Sequence, residues 1–115
     1  MHELSIALGI IKIAEDETRK ADATKVEKIE LQIGALSGVE LDALDYVWEQ
    51  AVKDTVLEGA ELEIDFVSGK ARCLECQTEF SMEKVYDNCP KCQSYFKEII
   101  SGKELLVKAL EVIKN

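Results

Sequence analysis

The sequence predicts an α/β (α+β) protein, a small three-stranded sheet with two helices, into which a zinc-ribbon module is inserted between the last two strands. Three observations carry this. Two segments place apolar residues at three- and four-residue steps, others alternate them at every second position, and all four cysteines fall into two Cys-x-x-Cys pairs. At 115 residues and 47% apolar content, the chain has the size of one domain with a modest core and a small satellite.

The first helix is read from Leu4 to Ala21. Leu4, Ala7, Leu8, Ile11 and Ala14 follow helical spacing, Ile6, Ile10 and Ile13 widen the stripe, and Glu15 to Asp22 is charged and solvated. From Val26 to Ile33 the pattern changes period. Ile29, Leu31 and Ile33 share one face and Lys28, Glu30 and Gln32 the other, which is a strand ended by Gly34. Ser37-Gly38-Val39-Glu40 has the form of a capping box that opens a second helix. Its stripe is Leu41, Leu44, Val47, Trp48, Ala51 and Val52, with Gly59 beyond its end. Glu61 to Val67 then alternates, with Leu62, Ile64 and Phe66 expected inward. The tail from Leu105 to Ile113 fits either period. We read it as a strand, because two strands alone make a marginal sheet and a third gives both helices a surface to pack on. The expected division is residues 1–67 and 100–115 as one α/β domain and residues 68–99 as the cysteine module.

Cys73-Leu74-Glu75-Cys76 and Cys89-Pro90-Lys91-Cys92 are separated by twelve residues. Two such knuckles bring four thiolates to one point, and Zn(II), which has no d-electron preference, accepts four sulfurs in a closed tetrahedron. An iron site of the rubredoxin kind uses the same knuckles. Four sulfur ligands leave no open position for activating water, so the site is expected to hold structure and not to catalyse. Gln77 and Gln93 follow the knuckles, at positions where glycine often takes up a left-handed backbone; the cost of a side chain there is about 1 kcal/mol, small beside zinc binding.

The single histidine, His2, lies one residue from the amino terminus. The amine of Met1 and the amide of His2 can close a five-membered chelate ring, and the His2 amide and imidazole Nδ1 a six-membered one. The Glu3 amide is one further step. Such nitrogen donors suit the square-planar preference of Ni(II) and Cu(II). Amides bind only by losing protons, so affinity should fall on acidification. Glu3 also has a plainer role, as a first-turn carboxylate favoured by the helix dipole.

With 14 Lys and Arg against 23 Asp and Glu, the formal charge is −9. That disfavours nucleic acid and anionic lipid and favours a basic partner or cationic cargo. Between Lys70 and Lys97, five basic residues face four acidic ones, a surplus that a zinc tetrathiolate reverses. No apolar run is long enough to cross a bilayer and no export signal is visible; paired cysteines as metal ligands then point to the reducing cytoplasm. One histidine and four committed cysteines offer no acid, base and nucleophile set, so no enzyme is expected. The competing readings are a zinc-ribbon interaction or nucleic-acid module and a small redox protein.

Met1-His2-Glu3 at the terminus, Ile33-Gly34-Ala35-Leu36-Ser37 after the first strand, the two cysteine pairs and Gly102-Lys103-Glu104-Leu105 occur here in one order. Together they resemble the HypA/HybF family of hydrogenase maturation nickel metallochaperones, across essentially the whole chain. The resemblance implies a nickel-binding amino-terminal domain and a zinc-ribbon domain. It implies Ni(II) as transient cargo at His2 with backbone nitrogen from Met1 and Glu3, and structural Zn(II) on Cys73, Cys76, Cys89 and Cys92. Nickel would pass to the large subunit of [NiFe]-hydrogenase in cooperation with a GTPase maturation partner. No catalytic residue is carried over, a homodimer is left open, and some relatives also serve urease.

Overall fold

A computed structural model describes residues 2–114. Among them the chain forms α1 (Glu3–Lys20), β1 (Lys25–Gly34), α2 (Leu41–Ala51), β2 (Glu61–Val67), β3 (Gly69–Cys73), β4 (Glu79–Met82), β5 (Lys97–Ser101) and β6 (Leu105–Ile113). The strands make two three-stranded sheets, ordered β2-β1-β6 and β4-β3-β5. Contacts along the chain define two compact units. One holds residues up to Leu31, Val39–Ile64 and residues from Leu106 onward; the other holds Gln32–Gly38 and Asp65–Leu105.

β1 is central in its sheet because its residues suit burial on one face. Ile29, Leu31 and Ile33 are fully buried, as the alternation requires, and Val26, three residues before Ile29 and so off that period, is buried as well. On the other face, Lys28 pairs with Glu63 at 2.6 Å and Glu30 with Lys108 at 3.6 Å. The tail takes strand form, so the sheet has the third strand expected of it. Its register against β1 is antiparallel, marked by Thr24 N–H to Ile113 O at 3.0 Å and Gly34 N–H to Glu104 O at 2.7 Å. β2 runs the same way as β1, with Gln32 donating to Asp65 at 3.1 Å and Ala35 N–H to Val67 O at 2.8 Å. A parallel neighbour needs a crossover, and α2 is that crossover.

Three details differ from the sequence reading. In α1 the buried line is Ala7, Ile10, Ile11, Ala14 and Thr18, while Leu4, Leu8 and Ile13 stay about half exposed. The apolar stripe is wider than one packing surface can cover, so spacing alone does not say which edge is left out. Thr18 is buried without penalty because its hydroxyl donates to Ala14 O at 2.6 Å. The capping box before α2 does not form: Gly38 turns the chain at φ +84°, and the helix starts at Leu41 after an extended Glu40. A carboxylate distant in sequence supplies the missing acceptor, since Glu40 N–H donates to the Glu3 carboxylate at 3.2 Å. Finally, Phe66 is 52% exposed and not inward, because β2 is an outer strand.

Gly34 lies where the backbone of Gly102 approaches it so closely that an added Cβ would collide with the Gly102 carbonyl. Gly9, in α1, has open space around the same position. The two should therefore respond to alanine with opposite signs. Gly34→Ala is expected to lower stability by about 1–3 kcal/mol, as overpacking against rigid backbone does. Gly9→Ala is expected to raise it by about 0.5–1 kcal/mol, the helix-propensity gain. Urea denaturation of both variants checks this.

Candidate metal centre

β3 is the middle strand of the second sheet, with Ala71 opposite Phe80 on β4 and Ile99 on β5. Behind it Leu36, Ala71, Cys73, Phe80, Met82 and Cys89 form a small buried cluster, with Cys76 and Ile99 packed against it. Two of these six residues are cysteines, so the core of this unit is built partly on sulfur. On the polar face Arg72 reaches Glu79 at 3.3 Å and Glu98 at 3.8 Å, and Lys70 reaches Glu79 at 3.6 Å.

Both knuckles have one geometry. Cys73 N–H donates to Thr78 O at 2.8 Å and Gln77 N–H to Cys73 O at 3.0 Å; Cys89 N–H donates to Ser94 O at 2.9 Å and Gln93 N–H to Cys89 O at 2.9 Å. Gln77 and Gln93 take φ of +66° and +67°, the left-handed backbone expected there. The equivalence was readable as Cys-x-x-Cys-Gln-Thr against Cys-x-x-Cys-Gln-Ser, and the sequence reading passed over its last residue. It also missed Asp87. That carboxylate accepts from the amides of Glu83 at 2.9 Å and Lys84 at 3.1 Å, pinning the loop ahead of the second knuckle. These two bonds, the Glu83 amide first, hold the Asp87 pKa below the ordinary value.

The four sulfurs converge, all within 4.8 Å of one another. Cys73 and Cys92 are 3.4 Å apart and Cys76 and Cys89 3.6 Å, far longer than the roughly 2.05 Å of a disulfide, and all four thiols are free. A tetrahedron with zinc–sulfur bonds of about 2.3 Å has sulfur–sulfur edges of roughly 3.8 Å, so the spacing fits such an ion. The proton affinities make the same point. The hydroxyl and amide of Thr78 pull Cys76 down to about 6. Cys92 is pushed up to about 12: its bond from the Ser94 amide acts to lower it, but the sulfur of Cys73, burial, and the sulfurs of Cys76 and Cys89 together outweigh that. A divalent metal would supply the positive charge that lets all four bind as thiolates.

At the other candidate site, His2 is exposed and extended, φ −86° and ψ 93°, as the residue preceding the helix; its side chain makes no capping bond. Its carbonyl accepts from Ile6 N–H at 3.1 Å. Glu3 opens α1, and its carboxylate is held below its ordinary pKa chiefly by the bond from Glu40 N–H. Met1 lies outside the described residues. Among the described residues, His2 and Glu3 do not join a cluster of three or more histidine, cysteine or acidic side chains, as the four cysteines do.

The model of the family described as "Hydrogenase/urease nickel incorporation, metallochaperone, hypA" matches residues 1–112. The chain belongs to the HypA family. It is 40% identical over 115 residues to the hydrogenase maturation factor HypA of Parabacteroides distasonis, covering all of both chains. It is 42% identical over 112 residues to that of Geobacter metallireducens, covering 97% of this chain and 99% of the relative. The solution structure of the nickel metallochaperone HypA from Helicobacter pylori matches with a TM-score of 0.71 at 26% identity over the full length of both. As a HypA-family member, this chain is a nickel metallochaperone of hydrogenase maturation, and not an enzyme. Among the described residues no helix is long and apolar enough to cross a membrane.

The left-handed glutamines give a direct test of the knuckle geometry. Gln77→Gly and Gln93→Gly should each stabilise the zinc-loaded protein by about 1 kcal/mol by removing Cβ strain. Chelator competition should show zinc held more tightly in both variants. Equal or weaker retention would mean that the side-chain bonds of Gln77 to Leu74 O and of Asn88 to Gln93 outweigh the strain.

Proposed function

We propose that this chain carries Ni(II) at its amino terminus, on the Met1 amine, the His2 amide and imidazole and the Glu3 amide, while Zn(II) sits on Cys73, Cys76, Cys89 and Cys92. The observation that carries the nickel assignment is the state of His2. The one imidazole in the chain is exposed and uncommitted to capping, just ahead of α1. The first amides of a helix have no partner four residues back, so losing their protons to a metal breaks no helical bond. Nickel is the cargo. Because each amide gives up a proton, acidification should release it, and rising pH should favour loading.

The zinc has a different role. Zinc would neutralise the thiolates and tie the two knuckles together, and the chain's own part is to present them: Thr78 and Ser94 hold the knuckle backbones and Asp87 holds the loop between. We draw the functional division at residues 1–67 and 100–115 for nickel binding and residues 68–99 for the ribbon. The compact unit around the cysteines is larger, taking in residues 32–38 and the segments up to 105, because the ribbon's core includes Leu36. The partners we propose are a GTPase of the maturation pathway and the hydrogenase large subunit as recipient, in the cytoplasm, where the four thiols stay reduced. A nucleic-acid role for the ribbon has little support, since Lys70 and Arg72 are already paired with Glu79 and Glu98.

Calorimetric nickel titration of the untagged protein tests the assignment. His2→Ala should abolish specific binding and leave zinc content and fold unchanged. One glycine added before Met1 keeps every side chain but moves the free amine, so affinity or absorption spectrum should change. Unaltered nickel binding in His2→Ala would contradict the proposal.

A further inference from the structure

Leu4 is 52% exposed, Leu8, one turn further along α1, is 53% exposed, and Tyr46 on α2 is 84% exposed. Leu4 and Tyr46 line one open groove of about 550 Å³, together with Asp45, Val47, Glu49 and Gln50 of α2. An isolated exposed leucine needs no explanation; a leucine and a tyrosine from two helices lining one groove make a candidate contact surface. The groove begins two residues from His2. Its apolar parts are set among carboxylates. α2 contains Asp42, Asp45 and Glu49, all exposed, and no Lys or Arg between Leu41 and Ala51. Among the described residues none of these three carboxylates is in an ion pair.

That arrangement works against the free helix. Asp45 and Glu49 are four residues apart on one face, where like charges repel, and Glu49 stands in the last turn, where the dipole favours a cation and none is present. Nothing in the packing of α2 requires these carboxylates, because its buried residues are Leu44 and Trp48. A cationic partner would relieve both repulsions. We infer that the groove formed by Leu4 of α1 and the Tyr46 face of α2 docks a basic protein segment, one apolar side chain seated against Leu4 and Tyr46 with flanking Lys or Arg opposite Asp45 and Glu49. The negative charge excludes a membrane surface or nucleic acid as occupant. An exposed tyrosine beside a leucine and a valine, with carboxylates next to them, has the composition of an interface anchor.

The inference rests on the proposed function for the partners to be tried, the GTPase and the hydrogenase large subunit. Each is titrated into the full-length, zinc-loaded protein at two salt concentrations. Tyr46→Ala and the double variant Asp45→Lys/Glu49→Lys are compared with Glu27→Lys, a charge reversal on an exposed strand residue outside the groove. Both groove variants should weaken binding of one partner by at least about tenfold, and the charge variant should also flatten the salt dependence, while Glu27→Lys stays near wild type. Zinc content, nickel titration and amide spectra should match wild type in all variants. Full-strength binding of both partners to both groove variants would overturn the docking surface and leave the nickel assignment standing. Failure of both partners to bind wild type would instead remove the partner assignment, and this inference with it. Concentration-dependent dimerisation abolished by Tyr46→Ala, with partner binding retained, would assign the face to a second copy of the chain and overturn the proposal.

Discussion

Four cysteine sulfurs within 4.8 Å of one another are the constraint on which the second unit depends. Its buried cluster is small, and Cys73 and Cys89 are part of it, so metal–sulfur bonds would supply part of what normally holds a domain of this size. The same crowding contributes to the rise of Cys92, up to about 12, whereas Cys76 is brought down to about 6 chiefly by Thr78. The backbone pays a small cost for the convergence at Gln77 and Gln93, both left-handed, and spends Thr78, Ser94 and Asp87 on holding the knuckles and their connecting loop.

The first unit is held differently. Its core is hydrocarbon, centred on Ile29 and Leu31 of β1 with Ala7, Ile10, Ile11 and Ala14 of α1 and Leu44 and Trp48 of α2. His2 and Glu3, which we propose bind nickel, lie outside that core at the start of α1, with His2 exposed. The two metals therefore meet different physics. Zinc would be held by soft, partly buried sulfur donors that belong to a core, whereas the proposed nickel donors are nitrogens at a chain end whose loss of metal costs no packing. A protein that must keep one ion and hand over another benefits from that separation.

Much of this was legible in the sequence, for reasons that differ by element. β1 was legible because its alternation from Lys28 to Ile33 is strict and Ile29, Leu31 and Ile33 are fully buried. The convergence of the four cysteines was legible because two Cys-x-x-Cys pairs at this separation have the spacing of a shared metal site. β6 is ambiguous by period alone, and the need of a two-stranded sheet for a third strand decided it. The start of α2 was not legible: Ser37 and Glu40 satisfy the capping pattern, but Gly38 turns the chain first, and the acceptor comes from Glu3, thirty-seven residues earlier. Neither was the exposed edge of α1, since spacing gives the width of a stripe and not the width of the surface it meets. The role of Asp87 depends on backbone amides brought near by the turn, which leave no pattern in side-chain chemistry, whereas Thr78 was legible through its match to Ser94 and was passed over.

X-ray absorption at the nickel and zinc edges of one sample loaded with both metals tests the account most directly. The account predicts a zinc shell of four sulfurs at about 2.3 Å and a nickel shell of nitrogen and oxygen donors only, including imidazole, with no sulfur. Sulfur in the nickel shell, or nitrogen or oxygen in the zinc shell of the loaded protein, would show that the two sites exchange ligands and would contradict it.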